Sequence, residues 1–199
     1  MNSTFIVFEG PDGCGTTLHT RLLAEYLHKK GLDVLQTFEP TDGPIGLQIR
    51  KMLHSGAPLA PLELQTLFCA DRAWHLENRI TPALQKNRIV LSDRYSPSTI
   101  AYGLALGLEE ELLHKLNKNF IQPNLLFYLL PPFAVCSERM GRREQRDALE
   151  KEDLQHTVYD MYQRIARADP KAHTIDTSGE KETVASRIAT IVEEHIAST

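Results

Sequence analysis

A surplus of basic residues is missing from this chain. Its 22 Lys and Arg stand against 26 Asp and Glu, for a net charge of −4 over 199 residues. Polynucleotide binders draw affinity from neutralising phosphates, so this balance argues against a nucleic-acid polymer as partner. A small anionic ligand stays compatible, because a few local cations hold one whatever the net charge. Cysteine is scarce as well. Cys14, Cys69 and Cys136 are an odd number with no C-x-x-C pair, which argues against a disulfide framework and a cysteine zinc site. The eight His show no metal-ligand spacing. Long hydrophobic runs are absent too. Met1-Asn2-Ser3-Thr4 carries no basic residue, the apolar run after it is only Phe5 to Phe8, and nothing approaches the ~20 residues of a membrane span. Neither a signal peptide nor membrane contact is expected, and a reducing cytoplasm is the default location. No repeat, low-complexity tract or linker divides residues 1–199, so a single domain is expected.

What the chain does contain is an alternation of short apolar runs and longer helical patterns. Strands are predicted at Phe5–Phe8, Asp33–Phe38, Ile89–Ser92, Leu125–Leu130 and His173–Ile175. Their near-continuous apolar character implies burial on both faces, as in a parallel sheet. Leu22, Leu23, Tyr26 and Leu27 share a helical stripe that Gly31 ends. Further helices are predicted over Pro61–Ala83, Glu109–Leu116, Phe133–Met140, Asp147–Ala168 and Glu180–Ile196. The β-α order predicts a three-layer α/β fold, with a five-stranded parallel sheet flanked by helices.

After the first strand comes Gly10-Pro11-Asp12-Gly13-Cys14-Gly15-Thr16-Thr17. The spacing is that of G-x-x-x-x-G-K-[ST], with Thr16 where the lysine belongs. Glycines let backbone N–H groups turn inward around a phosphate, and the following helix adds its positive N-terminal end. Thr17 supplies the hydroxyl that such loops place on Mg²⁺. The bland reading is a Gly-rich turn between strand and helix, and the missing point charge weakens the motif taken alone.

Three further segments accompany it. Phe38-Glu39-Pro40-Thr41-Asp42-Gly43-Pro44-Ile45-Gly46 follows the second strand, and Asp93-Arg94-Tyr95-Ser96-Pro97-Ser98-Thr99-Ile100-Ala101-Tyr102 follows the third. Leu67-Phe68-Cys69-Ala70-Asp71-Arg72-Ala73-Trp74-His75-Leu76 lies on a predicted helix, with Phe68 and Arg72 on one face at i, i+4. In this order and spacing the set resembles the thymidylate kinases, from about Phe5 to Ile191.

The resemblance implies a P-loop NTPase fold, transfer of the γ-phosphate of ATP to dTMP with Mg²⁺, and a homodimer. It implies that residues 10–17 bind ATP, that Thr17 and Asp93 organise the metal, and that Arg94 contacts phosphate. Phe68 would stack on thymine and Arg72 would bond the base edge. Tyr102 would sit near the deoxyribose, and Asp12 near the acceptor's sugar and phosphate. Phe38 and Ser98 join the acceptor-binding candidates. Gly141-Arg142-Arg143-Glu144-Gln145-Arg146 falls where the family has a mobile lid, here about 141–150. Gly13 in the loop with Arg142, Arg143 and Arg146 in the lid resembles the subgroup whose catalytic arginines lie in the lid. Asp147 and Glu150 keep the acidic spacing of the family's helix after the lid.

The chain also departs from the family pattern. Thr16 replaces lysine, Leu18-His19 replaces Thr-Gln, Gly103 replaces a glutamine, and Phe38 and Thr41 stand where relatives carry an arginine for the acceptor phosphate. That role would then fall to Arg94 or Arg50. Two rival readings stay open. One is a kinase for another nucleoside monophosphate such as dUMP. The other is a non-catalytic nucleotide-binding homologue. Cys14 reads as a small-residue position, Trp74 as packing or a dimer face, and His75 as a helix partner of Asp71.

Overall fold

The computed structural model describes residues 3–55, 60–142 and 148–198. Strand β1 (Thr4–Glu9) is buried along its whole length at the centre of a five-stranded sheet. The other strands are β2 (Val34–Phe38), β3 (Ile89–Asp93), β4 (Leu125–Leu129) and β5 (His173–Ile175), in the order β2-β3-β1-β4-β5 and all parallel. Side chains alternate across each strand. Ile6 and Phe8 therefore enter one core with Leu91, Phe127 and residues of helices α1 (Thr16–Lys29) and α9 (Lys181–Ala197). Phe5, Val7 and Val90 enter the core of the opposite face, with Ile80, Ala83 and Tyr95. Double burial holds for β1 and β3. It fails for β2, an edge strand whose Phe38 is 44% exposed.

The predicted 61–83 helix is α3 (Pro61–His75), a π-helical turn at Leu76–Ile80 and α4 (Thr81–Gln85). Pro82 lies in the first turn of α4 and cannot donate to the ladder, and a wider turn ahead of it accommodates the lost bond. Periodicity does not anticipate α2 (Pro44–Ser55) or α5 (Ser96–Ala105). Both carry a proline in the first turn, Pro44 and Pro97, which suits a helix start but reads as a breaker in the sequence. Helices α6 (Glu110–Asn117) and α7 (Phe133–Gly141) fall within a residue of expectation. Helix α8 (Glu152–Ala168) begins later than the predicted Asp147, because Ala148 to Lys151 are not helical. Among the described residues, no helix is long and apolar enough to cross a membrane.

The rings of Phe8 and Phe127 stack across β1 and β4 with centroids 5.1 Å apart, both fully buried. Phe127→Ala leaves a cavity there. It is expected to lower unfolding free energy by about 3–5 kcal/mol in urea titration, with the sheet signal of the folded protein retained.

Candidate functional site

The loop after β1 and the C-terminal end of β3 meet at the crevice where open parallel sheets bind ligands. Gly13 has φ 80°, and a Cβ there would lie 2.4 Å from the Cys136 carbonyl oxygen on α7. Only glycine fits, so the loop is clamped against α7. Helix α1 has no side-chain cap, which leaves its first N–H groups to the groove in front of the loop. Thr16 is buried, and its carbonyl accepts a bond from the Thr20 hydroxyl at 2.8 Å. The cations lining the groove are Arg50, Arg94, Arg139 and Lys181. Cys14 is buried and its thiol pKa is pushed far up by desolvation, which fits a packing role and not a reactive one.

Thr17 Oγ1 donates to Asp93 Oδ2 at 2.5 Å, joining α1 to the end of β3. The second oxygen, Asp93 Oδ1, is buried without a partner. A hydroxyl and a carboxylate with a spare buried oxygen suit a hard divalent cation, so these two residues fit Mg²⁺. Among the described residues, no group of three or more His, Cys, Asp or Glu gathers as a metal site.

Beside this pair lies a polar network. Arg94 has φ 71°, an uncommon left-handed conformation for a non-glycine residue. Its guanidinium donates to Asp12 at 2.6 Å, to the Gly10 carbonyl at 2.8 Å and to the Tyr162 hydroxyl at 3.2 Å. The other Asp12 oxygen accepts from the Tyr102 hydroxyl at 2.7 Å and from Gln155 at 2.7 Å. Burial, and then the Asp12 charge, push the Tyr102 phenol well above its usual range, so it stays a neutral donor. Ser98 Oγ donates to Glu9 at 2.7 Å. Glu9 also accepts from the Tyr95 N–H at 2.7 Å and the Tyr162 hydroxyl at 2.9 Å, and so fixes the turn that carries Arg94.

A cavity of about 100 Å³ opens next to the network, lined by Phe68, Arg72, Arg94, Ser98, Tyr102 and Asp12 among others. Arg72 is buried in it and already bonded. It meets Glu39 at 2.8 Å, Asn117 at 2.6 Å, the Tyr95 carbonyl at 2.9 Å and Thr99 at 3.0 Å. The expected His75–Asp71 pair does not form. Asp71 holds the backbone and side chain of Thr41, at 2.7 and 2.6 Å. His75 bridges Glu39 at 3.0 Å and Thr37 at 2.6 Å, because its face of α3 is turned to β2 and the chain after it. Gly103 packs on Leu113 of α6, where a Cβ would come within 2.4 Å.

Phe38 lies outside this cavity. It borders the phosphate-loop groove, with the Arg50 guanidinium 5.6 Å from its ring centre. Arg50 itself donates to the carbonyls of Pro40 and Thr41. Arg142 is exposed at the end of α7 and pairs with Glu138 one turn back. Arg143 and Arg146, with Asp147, lie outside the described residues. Sequence reasoning missed Glu9, Arg139, Gln155 and Tyr162. Only Glu9 carried a signal, as an acidic residue closing an otherwise apolar strand. Arg139 donates to the Gly13 carbonyl at 3.3 Å and to that of Thr177 at 2.8 Å.

Burial raises the Glu9 pKa from 4.5 to about 7, against the lowering pull of Arg94 and its hydrogen bonds. Between those values the unfolded chain gives up the proton and the folded chain keeps it, so stability falls as pH rises through the window and levels off above about 7. Relative to Glu9→Gln, wild type is expected to lose roughly 3 kcal/mol between pH 4.5 and 7.5, read by urea titration at a series of pH values. An equal pH slope in both proteins would show that Glu9 is not the titrating group.

A family model described as thymidylate kinase matches residues 8–188. The chain is 35% identical over 198 residues to the probable thymidylate kinase of Thermococcus kodakarensis, covering 95% of this chain and 97% of the relative. It is 37% identical over 197 residues to the thymidylate kinase of a Synechococcus strain, covering 95% and 94%. A third relative, the thymidylate kinase of Akkermansia muciniphila, is 38% identical over 184 residues, covering 92% and 88%. With the loop, the Thr17–Asp93 contact and the neighbouring cavity in one crevice, these matches place the chain in the thymidylate kinase family.

Proposed function

We propose that this chain transfers the γ-phosphoryl group of ATP to dTMP, giving ADP and dTDP. The observation that carries the proposal is the juxtaposition of two binding places. The phosphate loop with Thr17 and Asp93 lies on one side of Arg94, and the cavity with Phe68, Arg72 and Tyr102 lies on the other. The names and lengths of the relatives supply the acceptor.

In this reading the loop N–H groups and the α1 N-terminus hold the ATP phosphates. Phe68 presents a ring face to thymine and Tyr102 closes the sugar end. Asp12 and Arg94, locked together, orient the acceptor phosphate. One of its oxygens attacks the γ-phosphorus in line while the bond to the β-bridging oxygen breaks, and ADP leaves with that electron pair. The chain's contribution is position and charge, with no general base required. Mg²⁺ bound at Thr17 and Asp93 would neutralise charge on the transferring phosphates. Positive charge in place of the absent lysine comes from Arg139 and Lys181, which line the loop groove. Arg142, Arg143 and Arg146, in a lid at about 141–150, close over the reaction. The proposal extends to a homodimeric, cytoplasmic enzyme on the family resemblance alone.

The test is steady-state ADP formation with ATP, Mg²⁺ and a panel of dTMP, dUMP, dCMP and dGMP. Turnover is expected with dTMP preferred. A folded protein that binds ATP but turns over no acceptor would replace this reading with that of a nucleotide-binding homologue. Asp93→Asn is expected to lower kcat about a hundredfold or more. Arg139→Met is expected to lower kcat/KM for ATP about ten- to a hundredfold with the KM for dTMP unchanged, as loss of one charge-assisted contact predicts.

A further inference from the structure

We propose that Gln65 reads the hydrogen-bonding edge of the acceptor's pyrimidine base. The inference rests on the cavity being the acceptor site and adds the residue that recognises the base. Gln65 lies on α3 and is fully buried, yet it lines the cavity. Its Nε2 and Oε1 are both without a hydrogen-bond partner. A buried amide with neither donor nor acceptor satisfied is rare in folded proteins and calls for a partner. Every other polar group of α3 that borders the cavity is engaged. Arg72 gives its Nε to Glu39, one terminal nitrogen to Asn117 and the other to the Tyr95 carbonyl and Thr99.

The spacing suits the role. Gln65, Phe68 and Arg72 stand at i, i+3 and i+7 on one helix face. Phe68 offers a ring on which a flat base lies, and Gln65 offers a coplanar donor and acceptor to its edge. Thymine and uracil present a carbonyl beside N3–H. The amide matches this pair, with Nε2–H donating to the carbonyl and Oε1 accepting from N3–H. The methyl at C5 takes no part. Gln65 therefore selects the imide edge that dTMP and dUMP share.

The experiment compares wild type with Gln65→Leu and Gln65→Met on dTMP and on its N3-methyl derivative, in turnover and in calorimetric binding. The apo melting temperature of each variant should hold or rise, because an unsatisfied amide has been replaced by an apolar group. The KM for dTMP should rise about ten- to a hundredfold, the loss expected for a two-bond base contact, with the KM for ATP within about twofold of wild type. Wild type should reject the N3-methyl compound, and the variants should treat it like dTMP. Unchanged dTMP affinity in the variants, or an undiminished preference over the N3-methyl compound, would overturn the proposal. Failure of wild type to bind or phosphorylate dTMP would show before any variant is made, and would remove the acceptor-site reading with it.

Discussion

The ion pair between Asp12 and Arg94 ties together four parts of the chain at the mouth of the site. Asp12 belongs to the phosphate loop and Arg94 to the turn after β3. Tyr102 of α5 and Gln155 of α8 both reach the same carboxylate. A half-buried pair of charges is stable only when its remaining donors and acceptors are satisfied. Here they are, through the Gly10 carbonyl, Tyr162 and Ser98. The left-handed backbone at Arg94 costs about 1 kcal/mol or more by itself, and the surrounding bonds hold it. Glu9 stands beneath this arrangement as a second, fully buried carboxyl that is partly protonated near neutral pH. One carboxylate is paired with the arginine and the other is pushed toward neutrality by burial, although both close on the same turn.

The distribution of charge around the loop follows from the same economy. A lysine at position 16 would put a cation inside the loop. Thr16 puts none there, and the positive side chains approach from outside, on α2, the β3 turn, α7 and the start of α9. Arg139 is anchored to the loop's own carbonyl at Gly13 and to Thr177, so its position depends on the loop as much as on its helix. Asp93, with one oxygen bonded and one bare, is the complementary anion.

Much of this was legible in the sequence, and what was not has physical reasons. The strands were readable because apolar runs end at glycine or at charged residues, and the loop was readable because its glycine spacing is rigidly set by backbone geometry. Phe68 and Arg72 could be placed on one face from helical spacing alone. Helices α2 and α5 were hidden by prolines that begin helices as readily as they end them. Gln155 and Tyr162 were hidden because their partners, Asp12 and Glu9, are at the far end of the chain, and no local pattern encodes that meeting. In the sequence Gln65 is one more polar position within a helix, with no pattern to mark it. Only the packed structure shows that it faces a cavity and not solvent. Helical spacing pairs His75 with Asp71 one turn back, and the chain just after β2 offers it Glu39 instead.

The contact of Gly13 with the Cys136 carbonyl also bears on how this chain could change over generations. Position 13 admits no side chain while α7 lies where it does, so no larger residue is accommodated there by a single exchange. The backbone of α7 would have to retreat first, and Arg139 would lose its hold on the loop in the process.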